Sequence, residues 1–139
     1  MFLLDTNVIS ELRKARNGKS DAAVTKWAAS VPQSSMFLST ITVLELETGV
    51  LLIERRDATQ GAALRMWLHG QVLPGFSGRI LTVDLPVALN CAMLHVPNPC
   101  SYRDALIAST GIVHGMTVVT RNVGDFAGTG VAVFNPWAA

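Results

Sequence analysis

Short apolar runs alternate along this chain with longer segments of helical period. Phe2–Leu4, Met36–Ser39, Ile80–Val83, Thr117–Thr120 and Val131–Phe134 read as five buried strands, each three or four residues long. Val8–Leu12 reads as helical and fades near Asn17-Gly18. Asp21 is placed to cap a helix reaching Ser30, with Val24, Trp27, Ala28 and Val31 along one side and Pro32 closing it. Thr42 opens a further helix, in which Leu44, Leu46, Val50, Leu51 and Ile53 are available for burial. Arg55-Arg56-Asp57 breaks that pattern, and Ala58–Leu73 resumes it with Leu64, Trp67 and Leu68 as anchors. Pro74-Gly75 to Gly78 reads as a loop. Asp84 caps, and Pro86 starts, a helix to about Leu94. The two prolines of His95–Cys100 predict a loop. Ser101–Val113 is the last helix, stopped at His114-Gly115 because glycine takes the left-handed cap cheaply. Arg121–Gly130 is a loop.

Strands that alternate with helices predict an α/β fold, a mostly parallel sheet covered on both faces. No repeat, low-complexity tract or linker divides residues 1–139, so a single domain is expected.

Half the residues are hydrophobic and 15% are charged, which provides a core and argues against disorder. No run approaches the roughly 18 apolar residues of a membrane span, and the N-terminus lacks the basic start of a signal peptide. A cytoplasmic protein is the expectation. Cys91 and Cys100, with His95 between them, lack the spacing of a zinc site and read as buried thiols. The formal net charge of +1 decides nothing about nucleic acid. Four basic residues, Arg13, Lys14, Arg16 and Lys19, do cluster just after the first strand. They form either a solvated loop or a lip that attracts phosphate.

Chemistry is suggested by the acids. Asp5 ends an apolar strand abruptly, and an uncompensated charge there is costly. In a parallel sheet the strand C-termini share one rim, where ligands bind. Asp5 and Asp125 reach that rim from strand ends. Glu45 and Asp104 reach it from the first turns of helices. Four carboxylates so gathered repel one another, and a hard divalent cation would relieve them. The chemistry implied is hydrolysis of a phosphodiester by water activated at Mg²⁺ or Mn²⁺. Three of the acids also have structural alternatives: Thr42–Glu45 and Ser101–Asp104 fit capping boxes, and Asn122–Asp125 fits a turn or cap. Asp5 is the exception, with no helix to cap unless it caps the one that follows, where Thr6 or Asn7 would serve as well.

The same residues carry a resemblance. Leu4 to Leu12 (LDTNVISEL), Ser39 to Gly49 (STITVLELETG), Asp104 to Thr110 (DALIAST) and Thr120 to Phe126 (TRNVGDF) resemble, in order, the four signatures of PIN-domain ribonucleases. Within them the similarity is to the VapC toxins and their FitB-like branch. The resemblance implies a three-layer α/β/α sandwich around a parallel sheet of about five strands. It implies an Mg²⁺- or Mn²⁺-dependent endoribonuclease, the toxin of a toxin–antitoxin pair. It assigns Asp5, Glu45, Asp104 and Asp125 to the metal and to catalysis, with Thr6, Asn7, Thr120 and Asn122 in support. Glu47, two residues from Glu45 on a helix, points elsewhere, and Asp84 has no metal role. Arg13, Lys14 and Arg121 are candidate RNA contacts.

The implied partners are a second copy of the chain and an antitoxin with a DNA-binding domain, assembling into a hetero-oligomer. The expected contact surface is the helix pair Thr42–Arg55 and Ala58–Leu73, with Met66 and Trp67 either exposed there or part of the core. Two other readings differ in kind. A non-catalytic PIN-like scaffold is opposed by the presence of all four acids. A phosphatase with Asp5 as covalent nucleophile needs a second aspartate two residues on, and Asn7 stands there.

Overall fold

Five strands, β1 (Phe2–Leu4), β2 (Met36–Ser39), β3 (Ile80–Leu81), β4 (Thr117–Val119) and β5 (Val133–Phe134), form one sheet in the computed structural model, which describes residues 1–139. Their order is β3-β2-β1-β4-β5, and every pairing is parallel. Phe2 lies opposite both Met36 and Thr117, so β1 is the centre of the sheet. Consecutive side chains of a strand point to opposite faces. Leu4 accordingly joins one core with Val8, Ile9, Met36, Leu38, Leu46, Val50 and Leu68. Leu3 joins a second core with Ile107, Ala108, Met116, Val118 and Phe126.

The helices that cover these faces are α1 (Thr6–Arg13), α2 (Ala22–Ser30), α3 (Thr40–Arg56), α4 (Ala58–Trp67), α5 (Leu73–Gly75), α6 (Leu85–Leu94) and α7 (Tyr102–His114). The first core draws on α1 to α4 and the second on α7, which makes the expected α/β/α sandwich. Asp21 accepts from the Ala23 and Val24 amides, and Asp84 from the Val87 amide, so both cap helices as the sequence suggests. No helix is long and apolar enough to cross a membrane.

Several boundaries differ from the sequence reading. The two edge strands shrink to two residues each, because β3 must release the chain for Asp84 to cap α6. Helix α3 begins at Thr40, not Thr42: the Ser39 hydroxyl accepts from the Ile41 amide at 3.0 Å. The segment 58–73 is not one helix. A π-turn at Leu68–Val72 follows α4, and α5 carries helical geometry through Pro74. On α3, Leu46 and Val50 are buried, while Leu44 and Leu51 stay outside. At about 100° per residue, positions 44 and 46 lie on opposite sides of the helix. Cys91 is buried as expected, but Cys100 is exposed.

Two glycines allow close packing. A Cβ on Gly61 would lie 2.6 Å from the Glu54 Cα, so α4 crosses α3 at backbone contact. A Cβ on Gly111 would lie 2.9 Å from Val131 Cγ2 and 3.2 Å from Val118 Cγ2, so a bare glycine lets α7 sit close against β4.

Candidate active site

Asp5 leaves β1 with its backbone still bonded to β4, its amide donating to the Val119 carbonyl at 2.9 Å. Its side chain then serves two elements at once. Oδ1 accepts from the Thr6 amide at 2.8 Å, which caps α1. Oδ2 accepts from the Thr120 hydroxyl at 2.8 Å and from Asn7 Nδ2 at 3.4 Å. The capping role raised from sequence is thus real, but it occupies only one oxygen. Three donors serve a carboxylate that offers about four lone-pair sites, so one remains for a ligand.

Thr120, fully buried at the end of β4, is saturated in turn. Its hydroxyl donates to Asp5 and accepts from the Asn122 amide at 3.0 Å and from Asn7 Nδ2 at 3.2 Å. Asn7 Oδ1 accepts from the Arg121 amide at 3.2 Å. Asn7 and Thr120 therefore lock the loop after β4 against the start of α1. Thr6 links the third element, its hydroxyl donating to Glu45 Oε1 at 2.9 Å. Glu45 sits in the second turn of α3, not the first, because the helix starts early, and Thr42 lies inside it. The Thr42–Glu45 capping box does not form. Nor does that of Ser101–Asp104: Ser101 precedes α7 without a side-chain bond to its amides.

The result is one cleft lined by Asp5, Thr6, Asn7, Glu45, Asp104 and Asn122 among others, with a volume of about 430 Å³. Asp125 stands beside it in the exposed 3₁₀ turn Val123–Phe126, close enough for its charge to act on Asp5 and Asp104. Burial pushes the Asp5 carboxyl above its ordinary range; bonds from Thr120 and Thr6 oppose the shift, and the charge of Asp125 adds to it. Burial likewise raises Asp104, helped by Asp125 and Asp5 and opposed by Ser101 and Arg103. Glu45 is raised by burial, with Thr6 opposing, Asp5 adding, Arg103 opposing and Asp104 adding. The cation nearest Glu45 is Arg103, at 3.7 Å and well exposed. A solvated pair of that kind neutralises little.

These raised values fix a pH dependence. Between the ordinary carboxylate pKa, near 4, and the raised values, the folded chain binds more protons than the unfolded one. Stability therefore falls as pH rises through that window and is level above it. Glu47 and Glu54, held low by Arg65, act below the ordinary range and in the opposite sense; both are solvated and count for little. The metal-free chain should melt at a higher temperature at the acidic end of this window than above it. A melting temperature that climbs across this interval would contradict the electrostatics described.

The donor set suits a hard cation. The cleft offers carboxylate, hydroxyl and amide oxygens but no cysteine or histidine. No three carboxylate, imidazole or thiol side chains come close enough to enclose an ion between them. A Mg²⁺-like ion does not require that, since it keeps several waters and needs one or two carboxylates.

Other candidates fall elsewhere. Glu47 points away, as expected, pairing with Arg65 at 2.9 Å and with His69. Arg13 does not reach the cleft: it lies over the Trp67 ring at 5.7 Å, in a separate groove with Arg16 and Phe76. Lys14 and Arg121 do line the cleft. Trp67 is half-buried against the core, whereas Met66 is exposed. Sequence reasoning missed Trp137, and it doubted Glu11 as a site residue. Glu11 lines the cleft but is structural, accepting from the Asp21 amide at 2.8 Å and so joining α1 to α2. Trp137 reaches the cleft from a C-terminal 3₁₀ turn, Pro136–Ala138.

Comparison with known proteins agrees with this geometry. The sequence profile of the PIN domain matches residues 2–130. The chain is 41% identical over 143 residues to Toxin FitB of Neisseria gonorrhoeae, covering 99% of both chains. It is 37% identical over 145 residues to VapC ribonuclease Y4jK of Sinorhizobium fredii, covering 99% of this chain and 98% of that one. The crystal structure of FitAcB from Neisseria gonorrhoeae superposes with a TM-score of 0.90 at 38% identity over the whole of both chains.

Proposed function

We propose that this chain, which belongs to the PIN domain family, is an endoribonuclease that uses Mg²⁺ or Mn²⁺ to hydrolyse RNA phosphodiesters, and that it is the toxin of a toxin–antitoxin pair. The ribonuclease reading draws on the VapC ribonuclease it resembles, and the toxin reading on Toxin FitB. The partner reading draws on structures of FitAB bound to a DNA fragment and of FitAcB, at 38% identity. By that likeness the chain assembles with an antitoxin into a hetero-oligomer on DNA.

The single observation that carries the chemistry is the cleft itself, with Asp5, Glu45 and Asp104 at its wall and no ion pair to them except the solvated one from Arg103 to Glu45. Asp5, oriented by Thr6, Asn7 and Thr120, would hold the cation, with Glu45, Asp104 and Asp125 doing so directly or through water. When bound, the ion supplies Lewis-acid polarisation of a phosphoryl oxygen and acidifies water in the cleft. The side chains have separate tasks. Thr6 fixes one Glu45 oxygen and leaves the other to the cleft. Asp104, in the first turn of α7, brings a third carboxylate to the same cleft. Thr120 is fully buried with its oxygen already accepting two bonds, and Thr6 is tied to Glu45, so both serve as orienting groups and water is the nucleophile in this reading.

The test is cleavage of structured and unstructured RNA by the purified chain. Activity is expected with Mg²⁺ or Mn²⁺, is abolished by excess chelator and returns on adding Mn²⁺. Cleavage that persists in chelator would remove the cation from the reaction.

A further inference from the structure

We infer that Arg121, laid across the indole of Trp137, anchors an RNA phosphate that flanks the scissile bond, and that Trp137 is its positioning residue. The inference rests on the ribonuclease reading above and goes beyond it in assigning a phosphate subsite.

A cleft walled by carboxylates repels a polyanion, so its rim must supply cations that are not already spent. Two cationic side chains line it, Lys14 and Arg121. Lys14 is engaged, its ammonium 3.3 Å from Glu11. Arg121 forms no ion pair and no side-chain hydrogen bond, although its neighbour Thr120 bonds Asp5 directly. Its guanidinium lies 5.4 Å from the Trp137 ring centroid instead.

Both ends of this arrangement are fixed. The Arg121 amide donates to Asn7 Oδ1, which ties its backbone to the start of α1. The Trp137 amide donates to Asn135 Oδ1 at 2.9 Å, Pro136 is buried, and the indole packs against the core of the first face. A guanidinium stacked on an aromatic face keeps its N–H edge open, and that edge matches two phosphate oxygens. Stacking also removes rotamer freedom before the ligand arrives, so less is lost on binding. The other two arginines that stack on rings are placed otherwise. Arg79, over Phe76, donates to the carbonyls of Gln33 and Gly75. Arg13, over Trp67, faces the separate groove.

The experiment uses the full chain carrying Asp104→Asn, so that RNA is bound without being cut. Affinity for a short labelled single-stranded RNA is measured in Mn²⁺ buffer across a salt series. Arg121→Gln is expected to weaken binding about tenfold, the loss of one charge-assisted contact. It should also reduce the slope of log affinity against log salt by about 0.7, one phosphate on a single strand. Trp137→Leu weakens binding about threefold, as loss of an exposed cation–π contact does. Trp137→Phe, which keeps a ring under the guanidinium, restores most of that loss. In the chain with Asp104 intact, Arg121→Gln raises KM more than it lowers kcat. An unchanged salt slope in Arg121→Gln overturns the subsite. A Trp137→Phe chain that binds as poorly as Trp137→Leu overturns the positioning role. If the chain with Asp104 intact cuts no RNA and the Asp104→Asn chain binds none, the ribonuclease reading itself fails and takes this subsite with it.

Discussion

Replacing Asp104 by asparagine lowers RNA cleavage by at least about a hundred-fold and leaves the metal-free chain as stable as before, or more so. The charge of this residue is asked to supply several kcal/mol at the cleft, and each 1.36 kcal/mol is a factor of about ten in rate. Stability moves the other way. Burial, Asp125 and Asp5 all disfavour the Asp104 carboxylate in the folded state, and Ser101 and Arg103 offset them only in part. An uncharged side chain of the same shape is freed of that repulsion. It also breaks no cap, since Ser101 and Asp104 form no capping box. Asp5→Asn should abolish cleavage equally, but it reads less clearly. One Asp5 oxygen caps α1 and the other accepts the Thr120 proton, and an amide reproduces only one of these. Cleavage assays and thermal melts of Asp104→Asn decide the matter together. Retained activity with a lowered melting temperature would return Asp104 to a structural role.

Phe126→Ala should cost about 3–5 kcal/mol, out of a total of about 5–15 for a domain of this kind. Phe126 is 1% exposed and is among the largest fully buried side chains. It plugs the second core beside Leu3, Ile107 and Val118, and it does so from the same 3₁₀ turn that carries Asp125. The ring therefore ties that turn down while its neighbour faces solvent. Urea unfolding measures the loss directly, through the midpoint at constant slope. A change below about 1 kcal/mol would mean that the ring does not fill the core as described.

Much of this site was legible because it lies at element boundaries. Asp5, Thr6 and Asn7 follow an apolar strand, and Thr120 and Asn122 follow another. Parallel strands bring such ends to one rim whatever their separation in sequence. What the pattern could not report is rotation and return. Arg13 and Lys14 are neighbours in sequence, yet about 100° of helical turn sends one to the Trp67 groove and the other to the cleft. Leu44 and Leu51 looked available for the core and are exposed for the same reason. Trp137 reaches the cleft because β5 lies beside β4, which brings the C-terminal turn back over the sheet rim. Periodicity within a segment holds no trace of that. The early start of α3 was hidden by a choice between hydroxyls: Ser39 and Thr42 are both competent caps, and tertiary packing took the first.

The central position of β1 between β2 and β4 has a consequence for biosynthesis. Asp5 is made before Thr120, which orients it and lies more than a hundred positions later. A nascent chain halted before β4 lacks one of the three donors to its first acid and all of the loop after β4. On the ribonuclease reading, a chain arrested at that stage carries its first acid without the residue that orients it from the far side of the sheet.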